Sequence, residues 1–197
     1  MSQRKLAGSK KYYTVEEYLA FEREALDKHE YIDGEIIAMA GASREHNLIG
    51  TNTTVALVTQ LRVKGCELYA NDMRVRMKGK RYGYPDVVVV CAKPEFSDEE
   101  FDVLLNPTIV VEVLSPSTRF RDKTEKLETY QKMDSIKECL LIEQTVRRVE
   151  HYIKQTPNQW LLRIYENADD ILKLESIGCE IPLSDIYLQV EFGEILQ

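Results

Sequence analysis

The segment Tyr84–Val90, YPDVVVV, and the segment Thr108–Thr118, TIVVEVLSPST, decide the fold of this 197-residue chain. Each contains an apolar, β-branched run of the kind that forms a strand buried on both faces of a sheet. Each run also carries one carboxylate, Asp86 in the first and Glu112 in the second. An ionised carboxylate in such a strand is costly unless it is paired, hydrogen-bonded or bound to a metal, so the two residues together indicate a functional site.

The residues before and after these strands follow helical and hairpin patterns. Three helices are predicted, over about residues 14–27, 43–64 and 119–133. The first begins with a capping box formed by Thr14 and Glu17, and Asp33-Gly34 between two apolar arms predicts a β-hairpin. The face of the second helix predicted to pack on the core consists of Leu48, Val55, Val58 and Leu61.

The remaining segments predict further strands. Residues 66–77 indicate one strand with a break, and residues 78–84 turn the chain into the Asp86 strand. Residues 138–144, ECLLIEQ, directly follow the third helix, so we expect a crossover that places them beside the Glu112 strand. The order of elements predicts an α/β fold with a mixed central β-sheet flanked by helices and with additional antiparallel strands. We expect residues 1–11 to be a flexible tail and residues 12–197 to form a single domain.

The charge of the chain restricts how it could bind nucleic acid. The formal net charge is -7, which argues against a protein that coats nucleic acid by charge alone. Local basic patches remain, one over residues 74–81 and one over residues 119–126, although both also fit a solvated hairpin and a solvated helix face.

The cysteines and the N-terminus indicate a reduced, intracellular protein. Cys66, Cys91, Cys139 and Cys179 contain no CxxC spacing and predict reduced, partly buried thiols rather than a zinc site or a disulfide framework. No apolar run reaches the roughly 18 residues that a membrane span needs. The N-terminal residues have no apolar segment typical of a secretory signal, so we expect a cytoplasmic protein with no membrane partner.

The two carboxylates predict a particular chemistry if their strands are adjacent. Both side chains could then reach one point, where two carboxylates and water suit a hard cation such as Mg²⁺ or Mn²⁺. The three histidines show no metal-ligand spacing. The simpler interpretations are that Asp86 caps a turn after Pro85 and that Glu112 lies at a sheet edge or pairs with a lysine.

The motifs along the chain carry a family resemblance. Pro85-Asp86 followed by Glu112 resembles the PD-(D/E)xK nuclease core. The order of the other motifs along the chain resembles the Uma-two family of restriction-endonuclease-like proteins. The match covers roughly residues 12–150, and we expect it to extend over the whole chain. The pieces that match are Glu30–Glu35, His46, Met73–Arg76, Tyr84–Val90, Glu112–Thr118 and Asp122–Tyr130.

The resemblance implies a restriction-endonuclease-like fold and an Mg²⁺- or Mn²⁺-dependent phosphodiesterase that acts on DNA. It implies that Asp86 and Glu112 are metal ligands and that Glu30 is a further ligand, although Glu30 also fits an exposed strand residue facing an arginine or a lysine. Nucleases with this core often act as dimers, so a homodimer stays open.

The chain departs from the general nuclease motif at the lysine position. The motif places a lysine two residues after the glutamate, where this chain has Leu114. The Uma-two pattern places a lysine in the following helix, and Lys126 matches it. Lys126 and Tyr130 are four residues apart and share a helix face, so a lysine at the border of the apolar stripe could reach over the sheet. The alternative is a surface lysine paired with Asp122.

Four residues are predicted to contact phosphate or DNA, and each has a simpler structural interpretation as a helix-cap or surface residue: His46, Arg74, Arg76 and Arg119. The predicted function is a divalent-metal-dependent DNA endonuclease in which Asp86 and Glu112 hold the ion and Lys126 assists the attacking water. The alternative is a non-catalytic nucleic-acid-binding or regulatory protein on the same fold. The nuclease hypothesis expects the Asp86, Glu112 and Lys126 side chains to converge within about 4 to 5 Å of one point.

Overall fold

Strand pairing places the two acidic runs side by side. A computed structural model describes residues 12–192, so the predicted tail at residues 1–11 lies outside the described residues. The helices are α1 Val15–Glu24, α2 Arg44–Leu61, α3 Arg119–Arg121, α4 Leu127–Gln131 and α5 Leu183–Ile186, and a π-helical turn, Asp122–Lys126, joins α3 to α4. The strands are β1 His29–Ile32, β2 Glu35–Ala38, β3 Glu67–Ala70, β4 Arg74–Met77, β5 Arg81–Gly83, β6 Val87–Val90, β7 Val103–Leu104, β8 Ile109–Leu114, β9 Glu138–Glu143, β10 Val149–Thr156, β11 Gln159–Tyr165, β12 Ile171–Leu174 and β13 Cys179–Pro182.

Two large sheets carry most of these strands. The six-stranded sheet has the order β11-β10-β9-β8-β6-β3, in which β8 and β9 are parallel and the other neighbours are antiparallel. The five-stranded sheet has the order β2-β1-β5-β4-β7, with a parallel β4–β7 pair. The predicted α/β fold with a mixed sheet and additional antiparallel strands is therefore confirmed, as is the position of β9 beside the Glu112 strand.

Strand β8 is buried on both faces. Val111 and Val113 belong to one hydrophobic cluster, which α2 covers. Val110 and Leu114 belong to a second cluster, which the segment from α3 to α4 covers. Because side chains alternate along a strand, Glu112 lies on the same face as Val110 and Leu114 and so points toward that helical segment.

Helix α2 buries a face different from the predicted one. The predicted face was Leu48, Val55, Val58 and Leu61. The buried residues are Ile49, Thr53, Leu57 and Leu61, whereas Val55 is 58% exposed. Apolar residues occur on more than one side of this helix, and a fully buried threonine takes a place on the core side, so hydrophobicity alone does not select the face. Within the described residues no helix is long and apolar enough to cross a bilayer.

The predicted strand over residues 66–77 does break, and its two parts, β3 and β4, belong to different sheets. Asn71, at the break, has a positive φ of 63° that redirects the chain. The predicted hairpin at Asp33-Gly34 is confirmed by the pairing of β1 with β2, and both of these turn residues also have positive φ. The third helical segment buries Leu127 and Tyr130, in agreement with the predicted apolar stripe.

A disulfide links Cys66 to Cys91. Glu67 pairs with Val90 at the end of the β3–β6 ladder, so Cys66 and Cys91 are the next cross-strand neighbours, with Cα atoms 4.2 Å apart. The prediction of four reduced thiols is therefore wrong for this pair. The sequence does not reveal the disulfide, because 25 residues separate two positions that only strand pairing brings together. The other two cysteines are free and buried, as predicted.

Denatured protein should expose two reactive thiols without a reductant and four after reduction, because two of the four cysteines are cross-linked. Thiol titration under denaturing conditions gives both counts. Reduction should also lower the free energy of unfolding by about 2–4 kcal/mol, the usual effect of such a cross-link. Cys139→Ser is the control, since it should remove one thiol from each count. Four thiols without a reductant would contradict the disulfide.

A buried acid–base pair ties β9 to β10 and to the turn after β12. Glu138 and His151 are 1% and 0% exposed and bond to each other, and the other Glu138 oxygen accepts the N–H of Ser176 at 2.7 Å. Burial by itself raises the pKa of Glu138, but the bonds from His151 and Ser176 bring the pKa below its ordinary value. A lowered folded-state pKa adds stability above the unfolded-state pKa, and this stability is lost as the pH falls through the folded-state pKa.

Glu138→Gln should lower the free energy of unfolding at neutral pH by about 1–3 kcal/mol, because it removes a charged, buried hydrogen-bond acceptor. The difference from the unsubstituted protein should shrink toward about pH 4, where the carboxylate is already partly protonated in the unfolded state but is still ionised in the folded state. Urea unfolding at the two pH values measures it. Glu175→Gln, on a surface ion pair with Arg163, is the matched control and should change stability little. An equal loss at both pH values would count against this role of Glu138.

Candidate active site

Glu112 lies in the middle of β8 and is 4% exposed. Its Oε1 accepts a hydrogen bond from the Tyr130 hydroxyl at 2.6 Å and one from the Lys126 ammonium at 3.0 Å. Lys126 ends the π-helical turn and Tyr130 follows in α4. The helical segment over this face of the sheet therefore supplies both donors to the buried carboxylate.

Lys126 is the centre of an acidic cluster. Its Nζ lies 3.0 Å from an oxygen of Glu112, 3.0 Å from one of Glu30 and 3.3 Å from one of Asp122. The three acids come from β8, β1 and the π-helical turn, so the contact joins both sheets and the helical segment. Burial by itself lowers the pKa of Lys126, but the carboxylates of Glu112, Glu30 and Asp122 raise it above its ordinary value, so the side chain is an ammonium.

The same surroundings make Glu112 a weak acid. Burial raises its pKa, the Lys126 ammonium lowers it, and the nearby charges of Asp122 and Asp86 raise it again, to about 8 in total. Burial also raises the pKa of Tyr130 well above its ordinary value, which keeps its hydroxyl a donor to Glu112. The site thus concentrates negative charge beyond what Lys126 compensates.

Asp86 precedes β6 at the point where β6 pairs with β8. Val87 pairs with Val111, so the next step along this antiparallel ladder sets Asp86 opposite Glu112. Residues in such positions point to the same face with Cβ atoms about 5 Å apart. The Asp86 carboxylate contacts the His46 ring Nε2 at 2.9 Å through Oδ1 and accepts the Val113 N–H at 2.7 Å through Oδ2.

The predicted site residues are therefore brought together in part. Glu112 and Lys126 meet directly, and Glu30 meets the same ammonium. Asp86 lies next to Glu112, but its oxygens contact His46 and Val113 rather than Lys126. The alternative interpretation of Lys126 as a surface lysine paired with Asp122 is wrong, because Lys126 is buried and holds Asp122 together with two further carboxylates.

The position of Glu30 depends on a glycine in β5. Glu30 is 5% exposed and bonds to Lys126 and to Arg121. A Cβ at Gly83 would lie 3.3 Å from Glu30 Oε1 and 2.6 Å from Met77 Cε. Gly83 therefore leaves the space that the Glu30 carboxylate uses. The alternative of an exposed strand residue is wrong, although Glu30 does face an arginine and a lysine.

The residues predicted to contact DNA lie in different surroundings. Arg74 is 5% exposed, donates to the Tyr84 hydroxyl at 2.8 Å and pairs with Asp102 at 3.2 Å, and this burial argues against a phosphate contact. Arg76 is exposed on β4. Arg119 pairs with Glu143 at 2.6 Å. The contacts of Arg76 and Arg119 with DNA remain predictions.

Sequence reasoning missed Arg121 as a partner of Glu30 and Asp122 as a member of the cluster. The sequence does show Asp122 as an acid four residues before Lys126, but this spacing alone predicts a surface ion pair and not a member of a buried site. Arg121 had no such signal, because the α-helical periods of three and four residues do not place it beside Lys126, and the π-helical turn changes that register.

The sheet and the site together define a class of protein. Adjacent strands set an aspartate opposite a glutamate, with a buried lysine beside them, which is the arrangement that the resemblance to the PD-(D/E)xK nuclease core implies. The chain belongs to the Uma2 (Uma-two) family, described as "Putative restriction endonuclease", whose sequence pattern matches residues 15–184. The family resemblance of the motifs is therefore confirmed.

Known proteins resemble the chain over most of its length. Uncharacterized protein sll1609 of Synechocystis sp. is 38% identical over 167 residues, which are 83% of this chain and 94% of that protein. Uncharacterized protein slr1290 of the same organism is 34% identical over 178 residues, which are 90% and 92% of the two chains. The crystal structure of a "putative nuclease belonging to DUF820" from Anabaena variabilis has a TM-score of 0.71 at 18% identity and covers 89% of this chain and 97% of its own. At that identity the similarity shows the fold.

Lys126→Met should lower the free energy of unfolding by about 3–5 kcal/mol, because it leaves buried carboxylates without their cation. Adding Glu112→Gln should recover part of the loss, with a coupling energy of at least about 1 kcal/mol in a double-mutant cycle of urea unfolding. Lys132→Met, which breaks the exposed pair with Glu128, is the control and should change stability by less than about 1 kcal/mol. Additive effects of the two site substitutions would contradict the coupled cluster.

Proposed function

We propose that this protein is a divalent-metal-dependent DNA endonuclease that hydrolyses phosphodiester bonds. The observation that carries the proposal is the pairing of β6 with β8, which sets Asp86 opposite Glu112 beside the buried ammonium of Lys126. Membership of a family described as "Putative restriction endonuclease" supports a nucleic-acid substrate. The nuclease title of the structure with the same fold is consistent with this substrate.

The donor chemistry suits Mg²⁺ or Mn²⁺, which bind oxygen ligands. Across residues 12–192 no group of three or more His, Cys, Asp or Glu side chains is arranged to hold a metal ion. Magnesium is commonly bound through one or two carboxylates, with waters and substrate phosphate oxygens as the other ligands. We therefore give Asp86 and Glu112 the role of protein ligands, and we give Glu30 the role of holding Lys126 and Arg121.

The contacts already made by Asp86 are compatible with this role. A carboxylate has about four acceptor positions, so one bond to each oxygen leaves positions for a cation. The bonds from His46 and from the Val113 N–H fix the orientation of the carboxylate. A group held in this way can meet an incoming ligand without losing further side-chain freedom.

The chain's own residues have distinct roles in the proposed reaction. A bound ion would supply a water of lowered pKa and neutralise charge on the phosphoryl group. Lys126 presents a fixed positive charge that stabilises the negative charge developing in the transition state. Tyr130 orients Glu112 through its hydroxyl, and His46 orients Asp86.

The second hypothesis is a non-catalytic nucleic-acid-binding or regulatory protein on the same fold. It is motivated by Leu114, which takes the usual lysine position and is 1% exposed in the core. The contact of Lys126 with Glu112 favours the nuclease, because an ammonium reaches the glutamate from the helical segment instead of from the strand. The two hypotheses differ in whether bound DNA is cleaved.

The protein should nick or linearise supercoiled plasmid in Mg²⁺ or Mn²⁺ and not in EDTA. Asp86→Asn and Glu112→Gln should each reduce the cleavage rate by at least about a hundredfold, because each removes a charged ligand. Both should also weaken Mn²⁺ binding, measured by calorimetry without DNA, by about tenfold or more.

Asp72→Asn is the matched control, because Asp72 is an exposed carboxylate paired with Lys28 and should leave cleavage and Mn²⁺ binding unchanged. Salt-dependent DNA binding without cleavage in either metal would select the non-catalytic hypothesis. Equal cleavage by the Asp86, Glu112 and Asp72 variants would assign the activity to a contaminant.

A further inference from the structure

Helix α3 presents a phenylalanine to solvent beside the proposed catalytic site. Phe120 is 79% exposed, and it makes no ring or cation–π contact within residues 12–192. The other four phenylalanines each lie against another aromatic ring: Phe21, Phe96, Phe101 and Phe192. Single exposed apolar side chains are common on protein surfaces, so exposure alone assigns no role. The way the ring is held and the residues around it decide its role.

Ion pairs on both sides of Phe120 fix the orientation of α3. Arg119 donates to the buried Glu143 through Nε at 3.0 Å and Nη2 at 2.6 Å. Arg121 bonds to the buried Glu30. Successive helical residues are rotated by about 100° around the axis, so two neighbours that both turn toward the protein leave the residue between them pointing outward. The exposure of the Phe120 ring therefore follows from the buried acids on either side of it.

Helix α3 stands at the edge of the sheet where the catalytic site is accessible. Leu114 and Glu143 pair at the carboxyl ends of β8 and β9, and Glu143 is the acid that binds Arg119. Asp86 precedes the antiparallel strand β6 near this same edge. The side chain of Asp86 is 17% exposed and that of Glu112 is 5% exposed, so the site opens on the side of Asp86. A substrate that reaches Asp86 therefore approaches over the edge where α3 begins.

The surroundings of Phe120 differ from those of the other exposed phenylalanine. Phe101 is 64% exposed and packs edge-on against Phe96, and residues 98–102 around it contain four acids and no cation. Residues 115–121 around Phe120 contain three hydroxyl side chains, two arginines and no acid. Both of these arginines are paired, so the segment is close to neutral rather than a positive patch. A nucleic acid can therefore approach Phe120 without the repulsion that it would meet at Phe101.

An isolated ring of this kind suits an unpaired nucleobase. No other large apolar side chain in residues 115–131 is exposed, whereas a protein contact needs a contiguous apolar centre. One base needs only one aromatic ring to stack on. Insertion of a side chain into a fully paired duplex requires unstacking of a base step, which costs about as much as one base–aromatic stack gains. An unpaired base carries no such cost.

We propose that Phe120 stacks on an unpaired base of the DNA substrate, next to the phosphodiester that is cleaved. The proposal deepens the proposed function and rests on it, because it takes DNA as the ligand that reaches Asp86. It assigns the substrate class as DNA with a single-stranded or locally unpaired segment at the cleavage position. Phe120 is a binding residue that positions the strand and takes no part in the chemistry.

The test is the affinity of metal-free protein for a fluorescent single-stranded oligonucleotide and for its fully paired duplex, measured by anisotropy in EDTA over a series of sodium chloride concentrations. Phe120→Ala should weaken binding of the single strand by at least about fivefold, the lower end of the effect of one base–aromatic stack. The loss for the duplex should be smaller. The slope of log K against log salt should not change, because the substitution removes no charge.

Two further substitutions separate stacking from a general apolar contact. Phe120→Leu keeps an apolar side chain but has no π face, so it should bind the single strand as weakly as Phe120→Ala. Phe120→Trp should retain the affinity. The single strand should also quench the fluorescence of the added tryptophan, measured against the unsubstituted protein, in which Trp160 is the one tryptophan.

Phe101→Ala is the matched control, since it removes the other exposed phenylalanine and should leave DNA binding unchanged. Thermal unfolding should show no loss of stability for Phe120→Ala, because the ring buries little surface. Equal losses for the Phe120→Ala and Phe101→Ala variants, or full affinity of Phe120→Leu, would overturn the proposal. Absence of single-strand binding by the unsubstituted protein would do the same. Self-association in ultracentrifugation that Phe120→Ala abolishes would assign the ring to a second copy of the chain and overturn the DNA assignment.

These outcomes are separate from those of the plasmid cleavage assay. If Phe120→Ala weakens single-strand binding but the unsubstituted protein cuts no plasmid, the stacking contact stands and the nuclease function fails. If plasmid is cut but Phe120→Ala binds the single strand as tightly as the unsubstituted protein, the nuclease function stands and the stacking proposal fails.

Discussion

The ammonium of Lys126 is the contact on which the arrangement of the site depends. One charge lies within 3.3 Å of carboxylates from β1, β8 and the π-helical turn, so it joins two sheets and a helical segment at one buried point. With Arg121 the cluster has two cations against three acids. Burial, together with the nearby negative charges of Asp122 and Asp86, raises the pKa of Glu112 despite the Lys126 ammonium. Either a proton on Glu112 or a divalent cation beside it would offset the excess negative charge of the cluster. The stability of the cluster therefore depends on whether a proton or a cation is bound there.

The sheet provides the rigid part of this arrangement. Strand β8 is buried on both faces, and its neighbours β6 and β9 run on either side of it in opposite directions. The antiparallel neighbour brings Asp86 opposite Glu112, and the parallel neighbour requires a crossover that passes through the helical segment carrying Lys126. The connection from β8 to β9 therefore also carries the lysine. This explains how Lys126 can reach Glu112 although Leu114 occupies the usual lysine position on the strand.

Much of the fold could be predicted from the sequence, because short-range patterns determine it. The hairpin at Asp33-Gly34, the apolar run of β8 and the crossover to β9 each depend on a few adjacent residues. The errors came from long-range pairing. Cys66 and Cys91 become neighbours through the β3–β6 ladder, which spacing in the sequence does not reveal.

The candidate site follows the same division between local pattern and long-range packing. Glu112 and Lys126 were predicted from motifs and do meet. The burial of Arg74 was not predicted, because an arginine on a strand reads as a surface residue until the aromatic rings and the acid around it are known.

The π-helical turn explains why Arg121 was missed, and it also changes what a deletion there would do. Successive residues of an α-helix are rotated by about 100° around its axis. Removing one residue from this turn would therefore rotate the preceding side chains around the axis as well as shorten the segment. The extra residue of the turn thus fixes the angle around the helix axis at which the side chains of α3 lie.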